Sequence, residues 1–101
     1  MAQLIVVYWR DIPAQVICKK GRRDQVKLVL DERFEKAIDR AAMRGGARDA
    51  DSYLEDWRKA DALDVSDDLQ IEAEKHAAKL EADYDDARLK ALVETGGREA
   101  V

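Results

Sequence analysis

The stretch that decides the fold reads LIVVYWRDIPAQVIC and covers residues 4–18. Its first part, Leu4–Trp9, is apolar throughout and rich in β-branched and aromatic residues, which favours a β-strand covered on both faces. Pro13 lacks a backbone N–H and fixes its own φ, so the hydrogen-bond ladder must be interrupted there. Together with Asp11 it marks a turn, after which Gln15–Lys19 predicts a second strand running back along the first.

A second turn follows at Lys20-Gly21-Arg22, where Gly21 is free to adopt a positive φ. Beyond it, Val26, Leu28 and Leu30 recur at the two-residue period of a third strand. The same residues can also lead directly into the next helix, and the sequence leaves both alternatives open. It therefore predicts an antiparallel meander of two to three strands.

Two short helices are predicted next. Asp31 is placed to cap the first helix, and Gly45-Gly46 ends it. The apolar face of this helix comprises Phe34, Ala37, Ile38, Ala41 and Ala42. A capping box at residues 52–55 opens the second helix. That helix is expected to present Tyr53, Leu54 and Trp57 on one side, and residues 60–65 are expected to connect it onward with Leu63 and Val65 in the core.

A long C-terminal helix is predicted from Ser66-Asp67-Asp68 to about Thr95, where Gly96-Gly97 ends it. Such a helix would be about 44 Å long, more than a domain of this size can cover. Its apolar stripe is narrow and rich in alanine, so a partner element could approach closely. The stripe comprises Leu69, Ala73, Ala77, Leu80, Tyr84, Ala87 and Ala91. Part of it is expected to pack on another subunit or on a different protein.

The expected fold class is therefore α+β, with a small antiparallel sheet, two short helices and a long charged C-terminal helix. A chain of 101 residues is expected to form a single domain. Within it, residues 1–65 would make the α+β core and residues 66–96 the long helix. The apolar fraction of 47% suffices for a core, while the charged fraction of 40% indicates long solvated helix faces.

Charge is unevenly distributed along the chain. Residues 1–30 carry a net charge of +4 and residues 31–101 a net charge of −8, which gives the total of −4. An acidic total argues against a protein that coats nucleic acid by bulk charge, so nucleic acid is an unlikely partner. One cysteine cannot form an intramolecular disulfide, and no secretory signal or membrane-length apolar stretch is present in the sequence. We therefore expect a cytoplasmic protein that is not bound to a membrane.

Several motifs together resemble a known family. They are Tyr8-Trp9-Arg10, Ile12-Pro13, Arg33-Phe34, Ala37-Ile38-Asp39 and the Tyr53/Trp57 pair, within the segments LIVVYWRDIPAQV, DERFEKAIDRAAMRGG and DSYLEDW. The chain is similar over residues 3–58 to small bacterial proteins described as "virulence factor". A related domain ends some larger proteins built on HEAT-like helical repeats. Where similar proteins carry a proline at the head of the first helix, this chain has Asp31, and either residue starts a helix.

The resemblance implies a small α+β module without catalytic residues or a cofactor. It also points to genes for folate- and corrinoid-dependent methyl transfer as neighbours. This implies an alternative function as an accessory subunit of a one-carbon methyl-transfer enzyme complex.

The side chains that could support catalysis lack partners in the sequence. Cys18 near Lys19 and Lys20 could be a nucleophile, but it is better explained as a small buried residue of a strand. His76 has no second histidine or cysteine at metal-ligand spacing. The clusters Asp67-Asp68 and Asp83-Asp85-Asp86 lack the central glycine of a calcium loop, so they are interpreted as helix caps and solvated faces. We expect neither catalytic residues nor a metal site.

The basic turn Lys19, Lys20, Arg22 and Arg23 is the most suggestive charged feature. Four cations around a turn can hold a phosphate or an acidic partner surface. A cationic hairpin tip can equally serve to block edge-to-edge pairing of sheets. A nucleic-acid or phosphate binder acting through this turn is accordingly the third and weakest functional alternative.

Aromatic residues and arginine are enriched at binding hot spots, so Tyr8-Trp9-Arg10 together with Tyr53 and Trp57 can form a recognition patch. The same aromatic residues can equally form the core between the sheet and the helices. The predicted partner-binding residues are Tyr8, Trp9, Arg10, Arg33, Asp39, Tyr53 and Trp57. Because side chains alternate along a strand, one of Tyr8 and Trp9 should enter the core and the other should face the opposite side. The leading functional prediction is a non-enzymatic protein-interaction module that docks on a partner protein, or on a second copy, through sheet aromatics and the long helix.

Overall fold

A computed structural model describes residues 2–44 and 54–98 of the chain. They form an α+β fold with one antiparallel sheet. The strands are β1 (Ala2–Trp9), β2 (Ile12–Lys20), β3 (Asp24–Val29), β4 (Trp57–Lys59) and β5 (Leu63–Val65). The helices are α1 (Glu32–Arg44), α2 (Leu69–Asp83) and α3 (Asp86–Glu94). Residues 54–55 are also helical, whereas Gly45, Gly46, Ser52 and Tyr53 of the sequence predictions lie outside the described residues.

Within the described residues the sheet has five strands, so the prediction of two to three strands is wrong. The meander β1–β2–β3 exists, and its third strand is confirmed. The additional strands β4 and β5 both pair with the other edge of β1. Each contains only three residues, too few to show a two-residue period, and they form because that edge offers unpaired N–H and C=O groups.

The strands β4 and β5 together act as one edge strand with a bulge. Trp57 lies opposite Trp9 and Leu63 lies opposite Leu4, and between these pairs the edge strand contains one residue more than β1. The N–H of Ala60 donates to the carbonyl of Val6 across 2.9 Å inside this bulge. Trp57 is therefore on a strand and not on the predicted short helix, and Leu63 is 51% exposed instead of buried in the core.

The β1–β2 hairpin has a two-residue turn at Arg10-Asp11, since Trp9 pairs with Ile12. Arg10 adopts φ 53°, a left-handed conformation that non-glycine residues seldom adopt. The ladder shifts register between Val7 and Tyr8, which leaves Ala14 as an extra residue beside Pro13. The predicted interruption near Pro13 is confirmed, although β2 continues through it as a bulge.

The predicted long C-terminal helix is two helices, and this corrects the prediction for residues 66–96. The Asp85 side chain accepts a hydrogen bond from the backbone N–H of Arg88 at 2.9 Å and so caps α3, while Tyr84 ends α2. Because of this break, α3 buries a different set of side chains from the one that a continuous helix would bury. Ala87 and Ala91 of the predicted stripe are exposed, and Leu89 and Leu92 are buried instead.

The two sides of the sheet are covered differently. One side, containing Leu4, Val16 and Cys18, packs beneath α2, which crosses β2 and β3 and buries Ala73. At the hairpin end of the sheet, α1 packs against α3 and β2 and buries its predicted apolar face. The pairing register places Val7, Gln15, Val29 and Trp57 together on the side away from α2, which we call the far face.

Candidate functional site

Trp9 and Arg10 join three parts of the chain at the hairpin end. Trp9 has no exposed surface, and the Arg10 guanidinium lies 4.6 Å from the centre of its ring. Arg10 also forms an ion pair with Asp56, with Nη2 2.9 Å from Oδ2, and donates to the carbonyl of Gly96 across 2.6 Å. The same two side chains therefore hold the residue before β4 and the chain after α3 in place.

Arg33 performs a similar role between the helices. Its guanidinium donates to the backbone carbonyls of Glu81, at 2.5 Å, and of Tyr84, which end α2 without helical partners. It also lies 4.6 Å from the centre of the Phe34 ring. The cap of α1 behaves as predicted, because the Arg33 N–H donates to Asp31 Oδ1 at 3.4 Å. The structure thus engages the Arg33 side chain in intramolecular contacts at the α2–α3 break.

A cleft of about 440 Å³ lies between α1 and the far face of the sheet. We call it the α1–sheet cleft. Its walls come from β2, from β3 and the residue after it, from β4 and from one side of α1. The lining residues are Ala14, Gln15, Val29, Leu30, Glu35, Ile38, Asp39 and Trp57. The cleft therefore brings together two predicted partner-binding residues, Trp57 and Asp39, that lie far apart in the sequence.

The floor of this cleft is apolar and its α1 rim is acidic. Ile38 and Leu30 are buried at its base, and Trp57 is half-buried in the wall. Val29 is 71% exposed, although it is a large apolar residue on a strand. Glu35 and Asp39 are exposed one helical turn apart. Val29 was not among the predicted site residues, and the signal was its position in β3, where it shares the outward face with Gln25 and Lys27.

Tyr8 lies in a different, smaller cleft of about 320 Å³ on the α2 side. There the Arg58 guanidinium lies 4.6 Å from the Tyr8 ring centre, and that of Arg88 lies 3.9 Å from the Tyr84 ring centre. Arg58 is also 3.3 Å from a carboxylate oxygen of Asp11. Trp9 is therefore the residue of the pair that enters the core, and Tyr8 remains partly exposed. The structure does not bring Tyr8 into the α1–sheet cleft.

The basic turn is the exposed tip of the β2–β3 hairpin. Lys20, Arg22 and Arg23 are exposed and Lys19 is half-buried, around Gly21 with φ 66°. Lys20 Nζ lies 3.2 Å from Asp67 Oδ2, which ties one cation of the turn to the segment before α2. The turn lies at the end of the sheet remote from the hairpin end that carries Trp57.

Cys18 and His76 do not form a reactive pair. Burial, and next the carboxylate of Glu72, raise the pKa of the Cys18 thiol, which disfavours the reactive thiolate. His76 Nε2 lies 3.9 Å from Glu72 Oε2 on the same helix. Among residues 2–44 and 54–98, no three histidine, cysteine, aspartate or glutamate side chains are arranged to hold a metal ion.

Fold and site together define the class: a small α+β domain whose five-stranded antiparallel sheet carries an apolar cleft beside its first helix. The model of the family described as "Virulence factor" matches residues 7–93, so the chain belongs to that family. The match confirms the resemblance seen in the sequence and extends it through α2 and most of α3. No curated protein and no solved structure matches the chain. Within the described parts of the chain, no helix has the length and apolar character needed to cross a membrane.

Proposed function

We propose that this protein is a non-enzymatic interaction module that docks on a partner protein through the α1–sheet cleft. The observation that carries the proposal is the exposure of Val29 in the wall of a concave, largely apolar cleft that Trp57 also lines from the opposite edge of the sheet. A single exposed apolar residue, surrounded by polar residues, is common on protein surfaces. An exposed apolar residue that adjoins an apolar cleft indicates a binding surface. The sheet aromatic in this proposal is Trp57, and the helix is α1 instead of the predicted long helix.

The size and composition of the cleft support this function. A volume of about 440 Å³ accommodates one or two large side chains of a partner. Tryptophan is enriched at energetic hot spots of interfaces because it buries a large, rigid surface. Trp57 is half-buried before any partner binds, and its side chain already packs against the core. Little side-chain entropy would be lost when a partner covers it.

Trp9 and Arg10 contribute to the proposed function by positioning Trp57. Trp9 pairs with Trp57 across the β1–β4 ladder, and Arg10 binds Asp56, the residue immediately before Trp57. These contacts place the short strand β4 against β1. Trp9 and Arg10 therefore belong to the support of the docking surface and not to the surface itself. In the same way, Arg33 fixes α1, which provides the other wall.

The two alternative functions are distinguished by the identity and the site of the bound molecule. An accessory subunit of a methyl-transfer complex would use the same cleft, with a folate- or corrinoid-dependent enzyme as the partner. A nucleic-acid or phosphate binder would use the turn at Lys19–Arg23 instead. The test must therefore report both what binds and which surface it needs.

The test is quantitative affinity capture from native lysate with three forms of the full chain. They are the wild type, a Val29→Glu variant that places a charge in the cleft, and a matched Ile71→Glu variant. Ile71 is 58% exposed on α2, so it controls for the loss of an exposed apolar residue elsewhere. We expect a stoichiometric protein that survives nuclease treatment, binds the Ile71→Glu variant and is lost with Val29→Glu. Equal capture by both variants, or material that nuclease removes, would overturn the proposal.

A further inference from the structure

The α1–sheet cleft carries acid groups for which the described residues provide no compensating base. Its described lining residues include two carboxylates, Glu35 and Asp39, and no base. Both side chains are exposed, and no residue within 2–44 or 54–98 forms an ion pair with either one. Lys36 is adjacent on the helix, but its Nζ lies 3.0 Å from Glu32 and is engaged there.

The spacing of the two carboxylates is itself unfavourable. Residues 35 and 39 are four apart on α1, so they are neighbours on the helix surface, and like charges at this spacing destabilise a helix. Glu35 lies in the first turn, where the helix dipole favours a carboxylate, whereas Asp39 lies beyond it. Asp39 thus has no described stabilising role in the fold, although it borders the apolar cleft directly.

A cation at the rim would relieve this repulsion while an apolar group filled the cleft. We propose that the α1–sheet cleft binds a basic–apolar segment of the partner, in which a large apolar side chain is flanked by lysine or arginine. The apolar side chain lies between Trp57, Val29 and Ile38, and the cation lies against Glu35 and Asp39. This proposal rests on the proposed function, because it names the chemistry of the partner at the same site.

The experiment is a selection from a random peptide library displayed on phage, performed in parallel against four forms of the full chain. These are the wild type, the charge-swapped double variant Glu35→Lys/Asp39→Lys, the cleft variant Val29→Glu and the control Ile71→Glu. The circular dichroism spectrum and thermal midpoint of each form are measured first, so that a failure to fold is recognised. The single variant Asp39→Asn replaces the double variant if the latter is unfolded.

We expect the wild type and Ile71→Glu to enrich the same peptides, in which lysine or arginine lies beside a large apolar residue. The charge-swapped variant should enrich aspartate or glutamate beside the same apolar residues. For one selected synthetic peptide, Asp39→Asn should weaken binding about threefold to tenfold, while its thermal midpoint stays equal or rises slightly. Higher ionic strength should weaken binding of that peptide to the wild type.

The outcomes separate the two proposals. In one outcome, binding of apolar peptides depends on Val29, but the wild type and the charge-swapped variant select peptides of the same charge. That outcome would overturn this inference and leave the docking function standing. Acidic peptides selected by the wild type would also overturn it. Enrichment that is identical for the wild type and Val29→Glu would contradict the proposed function as well.

Discussion

At Gly97 the backbone after α3 passes so close to Trp9 that no larger residue fits. A Cβ atom on Gly97 would lie 2.8 Å from Cζ3 of Trp9, and the residue has φ 92°. The N–H of Asp11 donates to the Gly97 carbonyl across 2.8 Å, so this contact fastens the C-terminal segment to the β1–β2 turn. Trp9 is fully buried and paired with Trp57, so it cannot withdraw without disturbing the sheet.

We therefore expect Gly97→Ala to destabilise the protein more than Gly21→Ala. Both residues have positive φ, which costs an alanine about 1–2 kcal/mol. At Gly97 the overlap with Trp9 adds roughly 1–3 kcal/mol of overpacking strain. Gly21 has no atom within 4 Å of the added Cβ, which makes it a matched control. Urea denaturation of the two variants measures the difference, and equal free energies of unfolding would show that the Gly97–Trp9 contact does not matter.

For some individual side chains, the sequence does not show whether they bind a partner or make contacts within the fold. The sequence predicts Trp9, Arg10 and Arg33 as binding residues because aromatics and arginines are typical of interfaces. The same properties suit them to internal contacts, since an arginine can satisfy several carbonyls and stack on a ring at once. Which use applies depends on partners distant in sequence, such as Asp56 for Arg10 and Glu81 for Arg33. Local pattern does not contain that information.

At the scale of elements, the break between α2 and α3 depends on one capping side chain. Asp85 has extended backbone angles and accepts from the Arg88 N–H, which starts a new helix in a different direction. The break allows Leu89 and Leu92 to pack against α1, where a continuous helix would have presented Ala87 and Ala91. A capping aspartate preceded by further acidic residues can also occur on the surface of an unbroken helix. For this reason the sequence did not reveal the break.

We expect Asp85→Ala to destabilise the protein by about 0.5–2 kcal/mol, the usual effect of losing an N-cap. Amide hydrogen exchange should become faster within α3 than within β1 and β2. Asp83→Ala is the matched control, because Asp83 is an exposed aspartate at the C-terminal end of α2, where the helix dipole disfavours a carboxylate. That variant should be neutral or slightly more stable. A loss of stability with Asp83→Ala and none with Asp85→Ala would contradict this account of the break.

The sheet shows the same division between local and long-range information. Strands β1, β2 and β3 and the buried face of α1 follow from apolar periodicity and turn residues in a continuous segment of sequence. The short strands β4 and β5 exist only because β1 has a free edge, so their sequences need not have a strand pattern. Trp57 illustrates the consequence. Its residue type predicts a binding role, but the local pattern predicts it on a short helix, whereas it begins the strand β4.

At the scale of the whole molecule, the α1–sheet cleft is assembled from segments that meet only in the folded chain. Val29 ends β3, Asp39 is in the middle of α1, and Trp57 begins β4. Each wall is fixed by a separate arginine, with Arg10 acting through Asp56 and Arg33 through the end of α2. The sequence predicts Trp57 and Asp39 as partner-binding residues, but it does not show that they share a cleft, and it does not predict Val29. We infer that the folded chain presents one docking surface that is apolar at its base and acidic at its α1 rim.

The most direct test of this central claim is a nuclear magnetic resonance titration of the full chain with the protein recovered by affinity capture. The observed signals are the indole N–H of Trp57 and the methyl groups of Val29, Ile38 and Ile71. The account predicts that the signals of Trp57, Val29 and Ile38 shift together with a single dissociation constant, while Ile71 and the amides of residues 19–23 remain unchanged. Shifts confined to Ile71 or to residues 19–23, with Trp57 and Val29 unchanged, would contradict it.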